Sequence, residues 1–153
     1  LQWKDDNVMA LNNYAYYLSE KGVDLHKAES MSYKTIKAEP NNGTYLDTYA
    51  WILFMEERYA DAKTYIDQAL KNRDSTADNS TVLEHAGDIY YMNGMADESV
   101  DFWKKAYTGE NQTEVLAWKI KNRQYITEEE LKKRNAQKQK PAATKKSVRR
   151  GKN

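Results

Sequence analysis

Cysteine is absent from the 153 residues, which excludes disulfides, thiolate metal sites and cysteine nucleophiles together. Two prolines and six glycines are too few for a loop-rich or all-β chain. Phenylalanine is scarce, two residues against twelve tyrosines and four tryptophans, so the apolar content is unusually rich in the larger polar-tipped aromatics. No apolar run approaches the roughly 18 residues that cross a bilayer, and no signal-peptide pattern is present. The sequence starts at Leu1 rather than Met, and reads as a piece of a longer protein whose targeting segment, if any, lay upstream. Acidic residues are missing after Glu130, whereas ten Lys and Arg follow it. The first 130 positions carry fourteen basic and twenty-three acidic residues, a net charge of −9. An acidic body therefore carries a basic tail, residues 127–153.

What the chain does contain is a repeat. Three segments align by their small residues: Leu11, Tyr14, Ala15, Leu18 and Ala28; Leu46, Tyr49, Ala50, Leu53, Ala62 and Ile66; Leu83, Ala86, Gly87, Tyr90, Ser99 and Trp103. A further small position follows at Thr35, Ala69 and Ala106. Ala28 and Ala62 are 34 positions apart, and Ala62 and Ser99 are 37 apart, a difference that the polar linker RDSTADNS absorbs. The apolar spacing i, i+3, i+4, i+7 is that of helices rather than strands. Turn signals EKGVD, EERY and NGMAD split each unit in two, and EPNNGT, RDSTADNS and TGENQT separate the units. Helices are expected at about 7–21, 24–38, 44–56, 59–72, 80–93 and 96–108. Thr113 opens a seventh at 113–123, a cap for the hydrophobic end of the stack. Thr127 and Glu130 give a capping-box signature for a short helix at about 128–138, and the chain past Pro141 reads as disordered.

Tight crossing of paired helices accounts for the small positions. Ala15, Ala50 and Gly87 in the first helices would meet Ala28, Ala62 and Ser99 in the second, with bulky neighbours filling the space around each pinch. The pattern Leu-x2-x-small-x2-Leu/Tyr, then Ala-x3-large, then Ala, with Pro40 after the first unit, resembles the tetratricopeptide repeat. In particular, LNNYAYYL, YLDTYAWIL and LEHAGDIYY resemble C-terminal repeats of bacterial members. Ser32, Thr35, Glu57 and Arg73-Asp74 depart from that pattern. The resemblance implies an all-α fold: a right-handed α-solenoid of three helix-turn-helix units (about 7–40, 41–74 and 79–110) within a domain spanning 7–126. Residues 1–6 would be the end of a preceding repeat, with Trp3 on its exposed face. Likeness to bacterial envelope repeat proteins favours an exported or lipid-anchored parent.

Chemistry is harder to find. His85, in LEHAGD, reads as a histidine on a polar helix face, and His26 as a solvated surface residue. The HExxH arrangement is missing. Asp5-Asp6 and Glu56-Glu57 read as helix-end charge, and NNGT and MNGM as turns rather than phosphate loops. Asn42, Asn79 and Asn111 stand in Asn-x-Ser/Thr triplets, but all three fall between helices, where asparagine serves as turn former or cap. No catalytic, cofactor-binding or metal-ligating residue is assigned, and the chain is expected not to be an enzyme.

A groove is the expected site. In such repeats the first helix of each unit lines a concave face, and helical geometry then selects Asn12, Asn13 and Tyr16, with Ser19 and Glu20 beyond them. It selects Asp47, Thr48, Trp51 and Met55 in the second unit, and Glu84, His85, Asp88, Tyr91 and Met92 in the third. Trp51 either anchors a partner or packs against its neighbours. Relatives that clamp a terminal carboxylate use Lys, Arg and Asn here; Asn12 and Asn13 match, but Asp47, Glu84 and Asp88 stand where cations would be. A basic or mixed aromatic peptide is therefore the expected partner, in preference to a chaperone tail. The alternative is an adaptor whose basic tail binds nucleic acid or an anionic membrane, although no aromatics for base stacking follow Tyr125.

Overall fold

The computed structural model describes residues 2–151, with side chains described for 7–139. Within them the chain forms α1 (Gln2–Lys21), α2 (Leu25–Ala38), α3 (Gly43–Met55), α4 (Tyr59–Lys71), α5 (Ser80–Met92), α6 (Ala96–Ala106), α7 (Glu114–Asn122) and α8 (Glu128–Gly151). A single 3-10 turn, Gly109–Asn111, joins α6 to α7, and no strand occurs among the described residues. No described helix is long and apolar enough to cross a membrane.

Three helix hairpins, α1–α2, α3–α4 and α5–α6, stack in chain order, with α2 on α3 and α4 on α5. Each hairpin turns in the same way. The N–H of Val23 donates to the Leu18 carbonyl, that of Arg58 to Leu53, and that of Met95 to Tyr90, all at 2.9–3.1 Å. This closes the end of the first helix and places Gly22, Glu57 and Gly94 in the left-handed region, at φ 68°, 62° and 78°. Glycine suits that conformation at two of the turns. Glu57 occupies it with a Cβ, at the position where the resemblance leads one to expect glycine.

Inside each hairpin the small residues sit at the crossing. Ala15, Ala50, Ala28, Ala62 and Ser99 are fully buried, as are Thr35, Ala69 and Ala106 two turns further on. At Gly87 the crossing is tightest: a Cβ there would lie 2.3 Å from Cδ1 of Trp103 and 3.0 Å from the Ser99 carbonyl. The Ser99 hydroxyl donates to the Gly87 carbonyl at 2.8 Å, tying the two helices at their closest approach. Around the first pinch the large positions of the other units are replaced by buried Ser32, whose hydroxyl has no hydrogen-bond partner among the described residues.

The central helix α3 touches α1, α2, α4 and α5, which explains why it is apolar nearly all round. The last hairpin is closed by α7. Thr113 caps it by accepting from the Leu116 N–H at 3.2 Å, and Leu116 packs on Val100, Trp103 and Ala106. The first hairpin has no such cover: Met9, Tyr14, Tyr17, Val23 and Tyr33, the large hydrophobics that stay exposed among the described residues, all belong to it. The linker asparagines act structurally. Asn42 accepts from the Tyr45 N–H, Asn79 donates to the Asp74 and Ala77 carbonyls, and Asn111 donates to the Ala106 carbonyl.

Both ends of the chain differ from expectation. The backbone of residues 2–6 continues into α1 rather than forming a separate turn, since neither Gly nor Pro interrupts positions 2–21; the side chain of Trp3 lies outside the described residues. At the other end Thr127 accepts from the Glu130 N–H as the capping signature requires. The helix then runs to Gly151, past the expected end near 138 and through Pro141. Glu128, Glu129 and Glu130 pair with Lys132, Lys133 and Arg134 at i, i+4, and no glycine occurs before Gly151 to stop it.

Two substitutions test this packing. Gly87→Ala should destabilise the chain by about 1–3 kcal/mol in urea unfolding, because Trp103 must move; an unchanged midpoint would contradict the close crossing. Glu57→Gly should stabilise it by about 1 kcal/mol by relieving the left-handed turn, a gain that Glu57→Ala should not reproduce in the same measurement.

Candidate functional site: a concave groove on the first helices

The first helices of the three hairpins supply two adjoining cavities, each about 610 Å³, that share Tyr16 as a wall. Asn12, Asn13, Asp47 and Thr48 line one, together with the loops around Asn42 and Asp74. Trp51, Met55, Glu84, His85 and Asp88 line the other, joined by Glu20, Lys119 and Tyr125. Of the residues read as groove-facing, Ser19, Tyr91 and Met92 are absent from both linings. Tyr91 lines neither cavity; its ring lies 6.0 Å from that of Trp103, in the cluster beneath α7. It lies nearly in line with Glu84 round α5 but two turns further along the helix, level with Trp103.

Depth separates the remaining residues. Asn13 is exposed, and Tyr16, Asp47, Met55 and Glu84 are half-buried. Asn12, Thr48, Trp51, His85 and Asp88 are buried, so they form the floor of the groove rather than its rim. Trp51 is a packing residue, stacked between Phe54 at 4.6 Å and the His85 ring at 4.0 Å. Of the two roles open to it in the sequence, the geometry shows packing, with one edge on the cavity.

His85 is not on a polar surface. Its Nδ1 lies 2.9 Å from Asp47 Oδ1, joining α5 to α3, and its ring lies 6.2 Å from Tyr16 on α1. Burial works against the imidazolium, but the charge and hydrogen bond of Asp47, reinforced by Asp88 and Glu20, outweigh it and raise the pKa above the ordinary histidine value.

A cation does reach the groove, from a helix outside the repeats. Lys119 of α7 is buried and donates to Asp88 at 2.8 Å and to Glu84 at 2.9 Å. Burial costs this ammonium its hydration, yet the two carboxylates more than offset the loss and raise its pKa. Asp88 also accepts from the indole N–H of Trp103 at 2.9 Å, so one carboxylate links α5, α6 and α7. Lys119 lies outside the repeats, in the capping helix, and is not among the expected groove residues. A lysine among Val115, Leu116 and Ile120, with Glu84 and Asp88 one turn apart on another helix, is the signal that was there to be read.

Away from the groove, His26, Glu29 and Glu56 bring ligand atoms within 4.8 Å of one another. Arg58 already engages this cluster, donating to Glu29 at 3.0 Å and lying 3.9 Å from Glu56. His26 itself is exposed.

The class these features define is an all-helical solenoid of stacked hairpins with a groove along its first helices. Comparison with protein-family models gives no match. A protein of Pseudomonas aeruginosa described as TPR repeat-containing is 35% identical over 66 residues, which cover 43% of this chain; the match spans only 11% of that relative's length. Among solved structures, the first TPR of Spaghetti (RPAP3) bound to the HSP90 peptide SRMEEVD superposes with a TM-score of 0.66 at 13% identity, covering 77% of this chain and 90% of that one. The N-terminal domain of stress-induced protein-1 from C. elegans gives 0.58 at 20% identity, over 77% of this chain and 94% of that one. The chain has the fold of tetratricopeptide-repeat domains.

The His85–Asp47 pair makes a pH prediction. Because the folded pKa of His85 lies above the unfolded value near 6.5, the pair's contribution is fully present below that pH and is lost as pH rises through the folded pKa. The melting temperature should therefore fall as pH rises above about 6.5, and Asp47→Asn should flatten that decline. An equally steep decline in the variant would contradict the assignment.

Proposed function

We propose that this chain is a non-enzymatic scaffold for protein–protein interaction that takes an extended peptide or segment of a partner in its concave groove. The observation that carries this reading is a pair of unsatisfied groups on the groove floor. Asn12 Oδ1, an acceptor, and Trp51 Nε1, a donor, are both buried without a hydrogen-bond partner among the described residues. Each belongs to a side chain lining one of the two cavities that meet at Tyr16. Buried polar groups are costly when left alone, and a peptide main chain brings both an N–H and a C=O. The peptide in the RPAP3 complex supports this mode of use for the fold. The charge of the present groove differs from what an acidic peptide needs, because Lys119 is already neutralised by Glu84 and Asp88.

A second reading rests on the ten Lys and Arg after Glu130, which would let the tail hold nucleic acid or an anionic membrane. Selection from a random heptapeptide library against the whole chain separates the two. Selected peptides should bind about tenfold or more weakly to Asn13→Trp, which fills the groove from an exposed position, and equally well after removal of residues 132–153. Binding that survives Asn13→Trp but is lost with the tail, with steep salt dependence, would overturn the groove reading and assign the interaction to the tail.

A further inference from the structure

Tyr16 sits where the two cavities meet, and its electrostatic surroundings are one-sided. Glu20 lines the second cavity beside Tyr16, and it, Asp47 and Glu84 add negative potential around the ring from α1, α3 and α5. Burial first, and these three carboxylates after it, push the tyrosine pKa well above its ordinary value. Of the positive groups at the second cavity, Lys21 lies over the Tyr17 ring at 5.7 Å, and the others are ion-paired. Lys119 is held by Asp88 and Glu84, and His85 by Asp47. Glu20 is exposed and has no ion pair among the described residues.

Two further features say what would be accepted there. Asn12, one helical turn before Tyr16 on the same face of α1, is 4% exposed and its carboxamide oxygen has no hydrogen-bond partner among the described residues. The ring of Trp51, stacked on His85, and the ring of Tyr125 wall the second cavity. Aromatic walls and a lining richer in carboxylates than in cations, with Glu20 unpaired among the described residues, together describe a receptor for a cation. An anionic side chain would meet more carboxylates than cations, since Glu20, Glu84, Asp88, Glu128 and Glu129 line the second cavity against Lys21 and Lys119.

We infer that the groove contains a subsite, centred on Tyr16 and bounded by Asn12, Glu20, Asp47, Trp51 and Glu84, that receives one lysine or arginine side chain of the bound peptide. This rests on the reading of the groove as a peptide site and adds the chemistry of the occupant. The ammonium or guanidinium lies among the carboxylates, and the aliphatic stem covers the Tyr16 ring. Bound segments are therefore selected by a single positive residue.

The library selection tests this separately from the groove itself. Groove-bound peptides, those displaced by Asn13→Trp, should all carry Lys or Arg. Replacing that residue with norleucine or citrulline in a fluorescein-labelled copy should weaken binding about tenfold or more by anisotropy. Glu20→Gln, at an exposed position that leaves the core intact, should weaken the cationic peptide several-fold and leave the norleucine peptide unchanged. Peptides that occupy the groove but tolerate norleucine and citrulline would overturn the cation subsite while leaving the scaffold reading in place. Enrichment of acidic peptides in the groove would overturn it too. If residues 132–153 of a second copy are the occupant, the chain will self-associate, and tail removal will abolish this; that result would overturn the assignment to a partner peptide.

Discussion

Close approach of two helices at a point where neither carries a large side chain is the constraint on which this structure depends. At Ala15, Ala50 and Gly87 the first helix of each hairpin comes near enough to the second that any added volume must displace a neighbour. The opposing positions, Ala28, Ala62 and Ser99, are equally closed to solvent. Interiors packed to crystal-like density transmit such contacts rather than absorbing them. The bulky residues that surround each pinch, Leu18, Leu53, Ile66 and Trp103 among them, then have fixed places.

The groove follows from that arrangement. With each hairpin closed on its own small residues, the stacked first helices α1, α3 and α5 keep one face free of their second helices. Polar side chains on that face are drawn into a chain of buried contacts running from Tyr16 through His85 and Asp47, and from Glu84 and Asp88 to Lys119. Partly buried ionic networks of this kind are specific about geometry even where their net contribution to stability is small. They hold the floor of the groove rigid and leave carboxylates in excess at its centre. The molecule thus pairs a preformed concave surface with a definite sign of charge, and preformed surfaces bind with less ordering cost.

Much of this was legible in the order of residues, and what was not has a physical reason. Recurrence of small residues near every 34 positions located the hairpins, because the pinch tolerates few side chains. Spacing along α1, α3 and α5 located the concave face, because helical period fixes direction. Depth was harder. Trp51, His85 and Asp88 read as groove-facing, and they are, but they lie on its floor because Phe54, Trp103 and Lys119 cover their other sides. Lys119 comes from α7, outside the repeat, so no periodic argument connects it to Asp88. Tyr91 shares the face of Glu84 but lies two turns further along α5, where its ring meets Trp103. The long course of α8 reflects local Glu–Lys pairing and an absence of breakers, which composition alone had suggested was too polar to order.

The most direct measurement is urea unfolding of Ala50→Leu beside Ala60→Leu. Both add the same side chain to the second hairpin, the first at its fully buried crossing and the second at an exposed position on α4. The account predicts that Ala50→Leu loses roughly 1–3 kcal/mol or more while Ala60→Leu stays within about 0.5 kcal/mol of the parent. Equal stability of the two variants would mean that the helices do not press together at Ala50, and the account of both fold and groove would fail.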